Sequence, residues 1–150
     1  GRPDMAPHIF ANALINGTEI KLFNKGNMIR DFTFIDDVTI AIKKLIKKTK
    51  TDDNKLENEF NNLNKTMCDY KIFNIGNNNP ISIRDFIQEL EKAFNKKAIK
   101  KMYPMQLGDV KKTYSDSTKL KDYIKFSPET YLVDGVEKFA RWYKEFYKIW

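Results

Sequence analysis

Arg30-Asp31-Phe32-Thr33-Phe34-Ile35-Asp36-Asp37 decides the fold, because a strand pattern and a helix start meet inside these residues. From Met28 to Phe34 polar and apolar side chains alternate, the period-two signature of a half-buried strand. Asp36 or Asp37 then offers an N-cap oxygen to a helix over 38–48, in which Ile42, Leu45 and Ile46 recur at helical spacing and are expected to face inward. A short strand feeding a capped helix points to a mixed α/β chain.

The flanking sequence extends that pattern. Pro7 suits a first helical turn, where its missing N–H costs nothing. Ile9, Phe10, Ala13 and Leu14 predict a helix over about 5–16, closed by Gly17 as a left-handed cap. Glu19 to Phe23 alternates with Ile20 and Leu22 on one face, and Asn24-Lys25-Gly26-Asn27 is a turn cluster. The two alternating runs therefore predict a hairpin or two neighbouring short strands. Over 49–69 the apolar periodicity fails among Asn, Asp and Lys, which predicts a variable surface loop or a frayed helix. Beyond it come a strand at Lys71 to Ile75, a loop from Gly76 to Pro80, and a helix over 83–94. That helix is capped by Ser82 and buries Ile83, Phe86, Ile87, Leu90 and Phe94. A strand at Ile99 to Tyr103, a loop from Pro104 to Gly108, and a short helix capped by Ser115 or Asp116 follow. The last helix, over 132–147, turns Val133, Val136, Phe139, Tyr143 and Phe146 inward, with its aromatic residues anchoring the core. The expected fold is a small α/β substrate domain over 1–150, of mixed helices and short strands, lacking a doubly wound sheet.

Composition narrows the function classes. The chain has 150 residues, 41% of them hydrophobic, enough for one domain with a real core. Cys68 is the single cysteine, so no internal disulfide or thiolate metal cluster is expected. His8, alone of its type, sits in the first turn of a helix, where capping or packing is the ordinary role. The net charge of +7 comes almost entirely from lysines flanking apolar positions, while arginine occupies four positions. Base-reading surfaces favour arginine forks and stacked aromatics, so nucleic acid is not the expected partner. No apolar run has the length of a membrane span, and no stretch has the form of a secretory leader, which points to a cytoplasmic protein.

Few residues offer chemistry. Arg30, at the end of a short strand, can present a planar fork to a diphosphate, or can pair with Asp31, Asp36 or Asp37. Asp109 follows Gly108 in a loop, where a carboxylate accepts hydrogen bonds from vicinal hydroxyls, and where aspartate is also ordinary turn chemistry. Arg2 lies in a loop stiffened by Pro3 and Pro7, where a preorganised arginine loses less entropy on gripping an anion, or belongs to a disordered terminus. None of the six glycines lies within three residues of another, so the tight phosphate-cradling loop of a dinucleotide site cannot form. None of the seven tyrosines is followed four positions later by lysine. No acid/base pair stands out, and no catalytic residue is assigned.

The motifs Gly1 to Ala6, Arg30 to Asp37, Tyr70 to Asn77 and Met105 to Val110, in this order, resemble the substrate-side half of extended short-chain dehydrogenase/reductase enzymes acting on nucleotide sugars. Among these the UDP-glucuronate 4-epimerases are the nearest pattern, and the final helix from Gly135 to Tyr147 fits it too. The resemblance spans the chain except for 49–69, a variable loop in that family. It implies that Arg30 holds the diphosphate, Asp109 the ribose hydroxyls, Phe23 with its strand the uracil, and Arg2 the sugar carboxylate. Gln106 takes a place that is basic in related galactose epimerases, which throws the diphosphate grip onto Arg30. The resemblance further implies that NAD serves the full-length enzyme, bound by an N-terminal Rossmann half that also carries the catalytic tyrosine and lysine. This chain alone is expected to bind no NAD, to bind a UDP-sugar weakly, to catalyse nothing, and to self-associate through the surface that the missing half covers. A basic interaction module derived from the same fold, or part of a nucleotide-sugar dehydratase or decarboxylase, is the alternative expectation.

Overall fold

The computed structural model of the chain describes residues 3–59 and 71–149. They fall into two units, one formed by Gly1–Phe32, Asn79–Tyr114 and Thr130–Trp150, the other by Thr33–Asn78 and Ser115–Glu129. The fold is the mixed helix and short-strand type expected, with two two-stranded sheets and no doubly wound sheet among the described residues.

In the first unit, helix α1 (Ala6–Asn16) begins with Pro7 in its first turn and ends at Gly17, whose φ of 64° is the left-handed conformation that glycine adopts without steric cost. His8 packs among the rings of Phe139 and Trp142, 5.6 and 5.8 Å away between centroids, in the packing role expected of it. Strand β1 (Glu19–Leu22) buries Ile20 and Leu22, as its alternation predicts. The hairpin does not form. Strand β2 (Ile29–Asp31) pairs antiparallel with β3 (Pro80–Ser82), while β1 pairs in parallel with β4 (Ile99–Met102). The reason lies in the turn between β1 and β2, where three consecutive residues adopt left-handed backbone and send the chain away from its own strand.

Helix α3 (Ile83–Phe94) follows β3 directly, its first turn capped by Ser82, whose Oγ accepts the Asp85 N–H at 3.1 Å. All five residues of its expected stripe are buried, with Ile87 and Leu90 inaccessible, and the helix packs on α1 and on α5 (Leu132–Tyr147). In α5 the buried residues are Val136, Ala140 and Tyr143, whereas Val133 and Phe146 remain exposed. The expected α5 stripe is thus corrected. Small Ala140 takes an inward place with Tyr143, while Trp142, Phe146 and Tyr147 are exposed.

In the second unit, helix α2 runs Ile35–Glu59, longer at both ends than expected. Asp36 and Asp37 lie in its first turn, where their carboxylates oppose the positive end of the helix dipole. Residues 49–59 are helical, the helix alternative of the two expected there and not the loop, because an apolar stripe reports which face is buried and not whether the backbone is helical; the remainder of that stretch, 60–69, lies outside the described residues. Ala41 is fully buried and Leu45 packs with it against Leu120 and Ile124 of α4 (Thr118–Ile124), while Ile42 and Ile46, expected inside, are exposed. Asp116 Oδ1 accepts the Thr118 N–H at 3.0 Å just ahead of α4, and hydrogen bonds from the Thr118 side chain and then its backbone hold the Asp116 carboxyl below the ordinary aspartate value. No strand forms at 71–75. Instead Phe73 and Ile75 pack on this second core, and the Gly76 N–H and C=O both bond the buried Ser117 hydroxyl at 3.0 Å.

Candidate functional site

Strand β2 is the framework of the site. On one side Arg30 is in register with Ile81 of β3. On the other, the segment after Asp109 runs alongside, with the Ile29 N–H donating to Lys111 O at 2.9 Å and the Thr113 N–H to Ile29 O at 3.2 Å. These backbone bonds bring Asp109 beside Arg30 across 79 positions of sequence.

Arg30 and Asp109 form an ion pair, Nη2 to Oδ1 at 2.9 Å, with 24% and 31% of the two side chains exposed. Nη1 donates to the carbonyls of Ile29 at 2.9 Å and Val110 at 2.8 Å, so the guanidinium is fixed before any ligand arrives. Of its five N–H groups, these bonds leave Nε–H and one Nη2–H available. Asp109 Oδ1 also accepts the Val110 N–H at 2.8 Å, which leaves Oδ2 as an open acceptor. The turn ahead of it closes by a bond from Asp109 N–H to Gln106 O at 3.2 Å, with Gly108 at φ 81° and Leu107 fully exposed at its tip.

A second surface lies along β1 and β4. Phe23 follows β1 directly and its ring meets that of Tyr103, centroids 5.8 Å apart at 46°. Backbone bonds lock the two segments together, Tyr103 N–H to Leu22 O at 2.9 Å and Lys25 N–H to Tyr103 O at 3.0 Å. Lys21 and Lys101 lie over the Tyr103 ring at 5.9 and 6.0 Å, close enough for cation–π attraction. The Glu19 carboxylate, bonded to Lys101 at 3.1 Å, raises the pKa of that ammonium group. The same unit thus carries a half-buried aromatic pair, which can stack on a flat ring, and a fixed guanidinium with an open carboxylate oxygen, which can meet an anion and a diol.

Of the residues that the sequence singles out, Arg30 and Asp109 are brought into contact, and Phe23 lies on the same unit. Gln106 contributes its backbone carbonyl to the turn. Arg2 and Cys68 lie outside the described residues. The carboxylate that Arg30 meets is Asp109, a partner that none of the three acids near it in sequence foreshadows. Tyr103 and the Val110 carbonyl carry no mark in the sequence, because Tyr103 meets Phe23, and Val110 meets Arg30, through long-range pairing. The described residues contain no cluster of three or more His, Cys, Asp or Glu fit to hold a metal ion, and no helix long and apolar enough to cross a membrane.

Comparison with known proteins places this arrangement in context. The pattern of a family described as GDP-mannose 4,6 dehydratase matches residues 4–139. The chain is 40% identical to Protein CapI of Staphylococcus aureus over 148 residues, covering 99% of this chain and 44% of that protein. It is 34% identical to a probable UDP-glucuronate 4-epimerase of Rhizobium meliloti, covering 99% and 44%. Among solved structures, the UDP-glucuronic acid 4-epimerase of Bacillus cereus, in complex with UDP-glucuronic acid and NAD, superposes with a TM-score of 0.77 at 29% identity, over 97% of this chain and 41% of that one. The chain therefore spans less than half the length of the relatives it matches, corresponding to their C-terminal part.

Proposed function

Because this chain belongs to the GDP-mannose 4,6 dehydratase family, we propose that it is the substrate-binding part of an NAD-dependent nucleotide-sugar 4-epimerase of the UDP-glucuronate type, catalytically incomplete alone. The observation that carries this reading is the Arg30–Asp109 pair, at 2.9 Å, with its two free guanidinium N–H groups and its free carboxylate oxygen. Arg30 grips the diphosphate, Asp109 Oδ2 accepts from the ribose hydroxyls, Phe23 with Tyr103 forms the face for the uracil, and Gln106 lies at the rim. Arg2 meets the sugar carboxylate. NAD, when bound to the whole enzyme, supplies hydride exchange at the sugar's C4. Nothing among the glycines of this chain fits a dinucleotide loop, so the cofactor is assigned to the N-terminal half of the full-length protein. The enzyme acts in the cytoplasm and supplies a uronate donor for polysaccharide assembly. A nucleotide-sugar dehydratase is the second reading, favoured by the family's own description.

Titration calorimetry tests the proposal directly. UDP and UDP-glucuronate are expected to bind weakly and NAD not measurably. Tight NAD binding overturns the domain assignment, and absence of UDP binding overturns the substrate assignment.

A further inference from the structure

The turn that follows Phe23 is left-handed through three successive residues, Asn24 at φ 48°, Lys25 at 53° and Gly26 at 79°. Asparagine and glycine tolerate this region, whereas lysine does not favour it, so contacts outside the turn must hold it. One bond within the turn and one to the segment after β4 contribute. The Asn24 side-chain amide donates to Asn27 O at 2.8 Å, and Lys25 N–H donates to Tyr103 O at 3.0 Å. The third comes from Arg84, the second residue of α3, whose Nη2 donates to Lys25 O at 2.5 Å. The Arg84 side chain also lies against Gly26, since a Cβ added there would meet Nε at 2.9 Å and Cγ at 3.3 Å.

We infer that Arg84 is a positioning residue that fixes the base-side face for the nucleotide by clamping this turn, an assignment that rests on the nucleotide reading above. Its place in the chain explains why it can do so. Ser82 and Ile81 of β3 pair with Ile29 and Arg30, and α3 continues from that strand with Arg84 in its first turn. One rigid strand–helix junction thus holds the anion-side arginine through backbone bonds and the base-side turn through a guanidinium. Arg84 thereby sets the spacing between the two subsites without touching the ligand.

The test compares UDP with inorganic pyrophosphate, which lacks base and ribose, in titrations of the wild-type chain, Arg84→Ala, Arg84→Met and Arg84→Lys. Loss of a charged hydrogen bond to the Lys25 carbonyl is expected to weaken UDP by about tenfold in both neutral variants, leaving pyrophosphate within about twofold. Arg84→Met keeps an aliphatic stem over Gly26 and serves where Arg84→Ala is poorly folded. Arg84→Lys, with one donor still able to reach Lys25 O, should recover part of the loss. Amide exchange at Lys25 should accelerate in the neutral variants with no ligand present. Unchanged UDP affinity in Arg84→Met, or equal losses for UDP and pyrophosphate, overturns the role of Arg84 alone. Wild-type binding of neither ligand overturns the nucleotide reading, and the inference with it.

Discussion

Arg30 is held on three sides before it meets a ligand, and this separates its contribution to binding from its contribution to folding. Arg30→Ala should weaken UDP by about tenfold or more, because a hydrogen bond to a charged group contributes roughly 1.5–3 kcal/mol. It also strips the Val110 carbonyl and Asp109 of their partner, so Arg30→Lys is the cleaner variant. Lysine keeps the charge and loses the fork, and calorimetry should still register a several-fold loss of UDP affinity. Equal affinity in wild type and Arg30→Ala would falsify the diphosphate assignment. Gly108 makes a contrasting case. It has open space where a Cβ would go but a φ of 81°, so Gly108→Ala meets backbone strain and nothing else. The expected cost is about 1 kcal/mol, a melting temperature lower by roughly 2–4 °C in calorimetric scans. Arg30 and Asp109 stand out in the sequence because each sits beside local punctuation, a strand end or a glycine turn, whereas Phe23 enters through the family resemblance alone. Tyr103 and Arg84 carry no such mark, and only parallel pairing of β1 with β4, or the left-handed turn, makes them neighbours of the site.

Elements were legible in proportion to how much of their burial they decide for themselves. Helix α3 has a side-chain cap, a complete apolar stripe and a left-handed Asn95 at its end, so local signals and packing agree. Helix α5 lies where expected, but which of its aromatic residues face inward depends on α1 and α3. The strands were least legible, since runs of three or four residues take their partners from distant segments and β3 begins with a proline. Within α3, Glu91 yields a pH prediction. Burial alone would raise its carboxyl pKa, but the Ala98 N–H at 2.8 Å, the Lys100 ammonium at 3.1 Å and nearby Lys97 together bring it below the ordinary value. A carboxyl whose folded pKa is depressed contributes stability above its unfolded value, near 4.5, and loses it as pH falls through the lower folded value. Urea denaturation should find Glu91→Gln less stable than wild type at pH 7, with the difference shrinking below about pH 4.5. A gap that stays constant down to pH 3 would remove Glu91 from the acid response.

At the scale of the whole molecule, apolar surface stands open on both units. In the first unit Met5, Ile9, Trp142 and Phe146 are exposed, with Trp142 and Phe146 stacked at 5.2 Å, and in the second Ile35, Ile40, Ile42 and Ile46 are exposed along α2. Exposed apolar residues grouped in this way fit a surface that a larger protein covers, and the solved epimerase with UDP-glucuronic acid is matched over only 41% of its length. Sedimentation should therefore find the isolated chain self-associating at micromolar concentration, and a monomer across that range would count against a covered surface. The proposed chemistry needs a base at the sugar's 4-hydroxyl and a bound nicotinamide, while the groups proposed on this chain are for the nucleotide and the uronate. The purified 150-residue chain should show no interconversion of UDP-glucuronate and UDP-galacturonate with added NAD. Supplying the N-terminal half as a separate polypeptide should restore turnover at high concentration, since the two then meet through the surface of the intact enzyme. In that reconstituted enzyme Arg2→Ala should impair UDP-glucuronate more than UDP-glucose, because only the former presents a carboxylate. Product analysis by chromatography reads each arm, and turnover by the isolated chain would show that its own residues carry the chemistry.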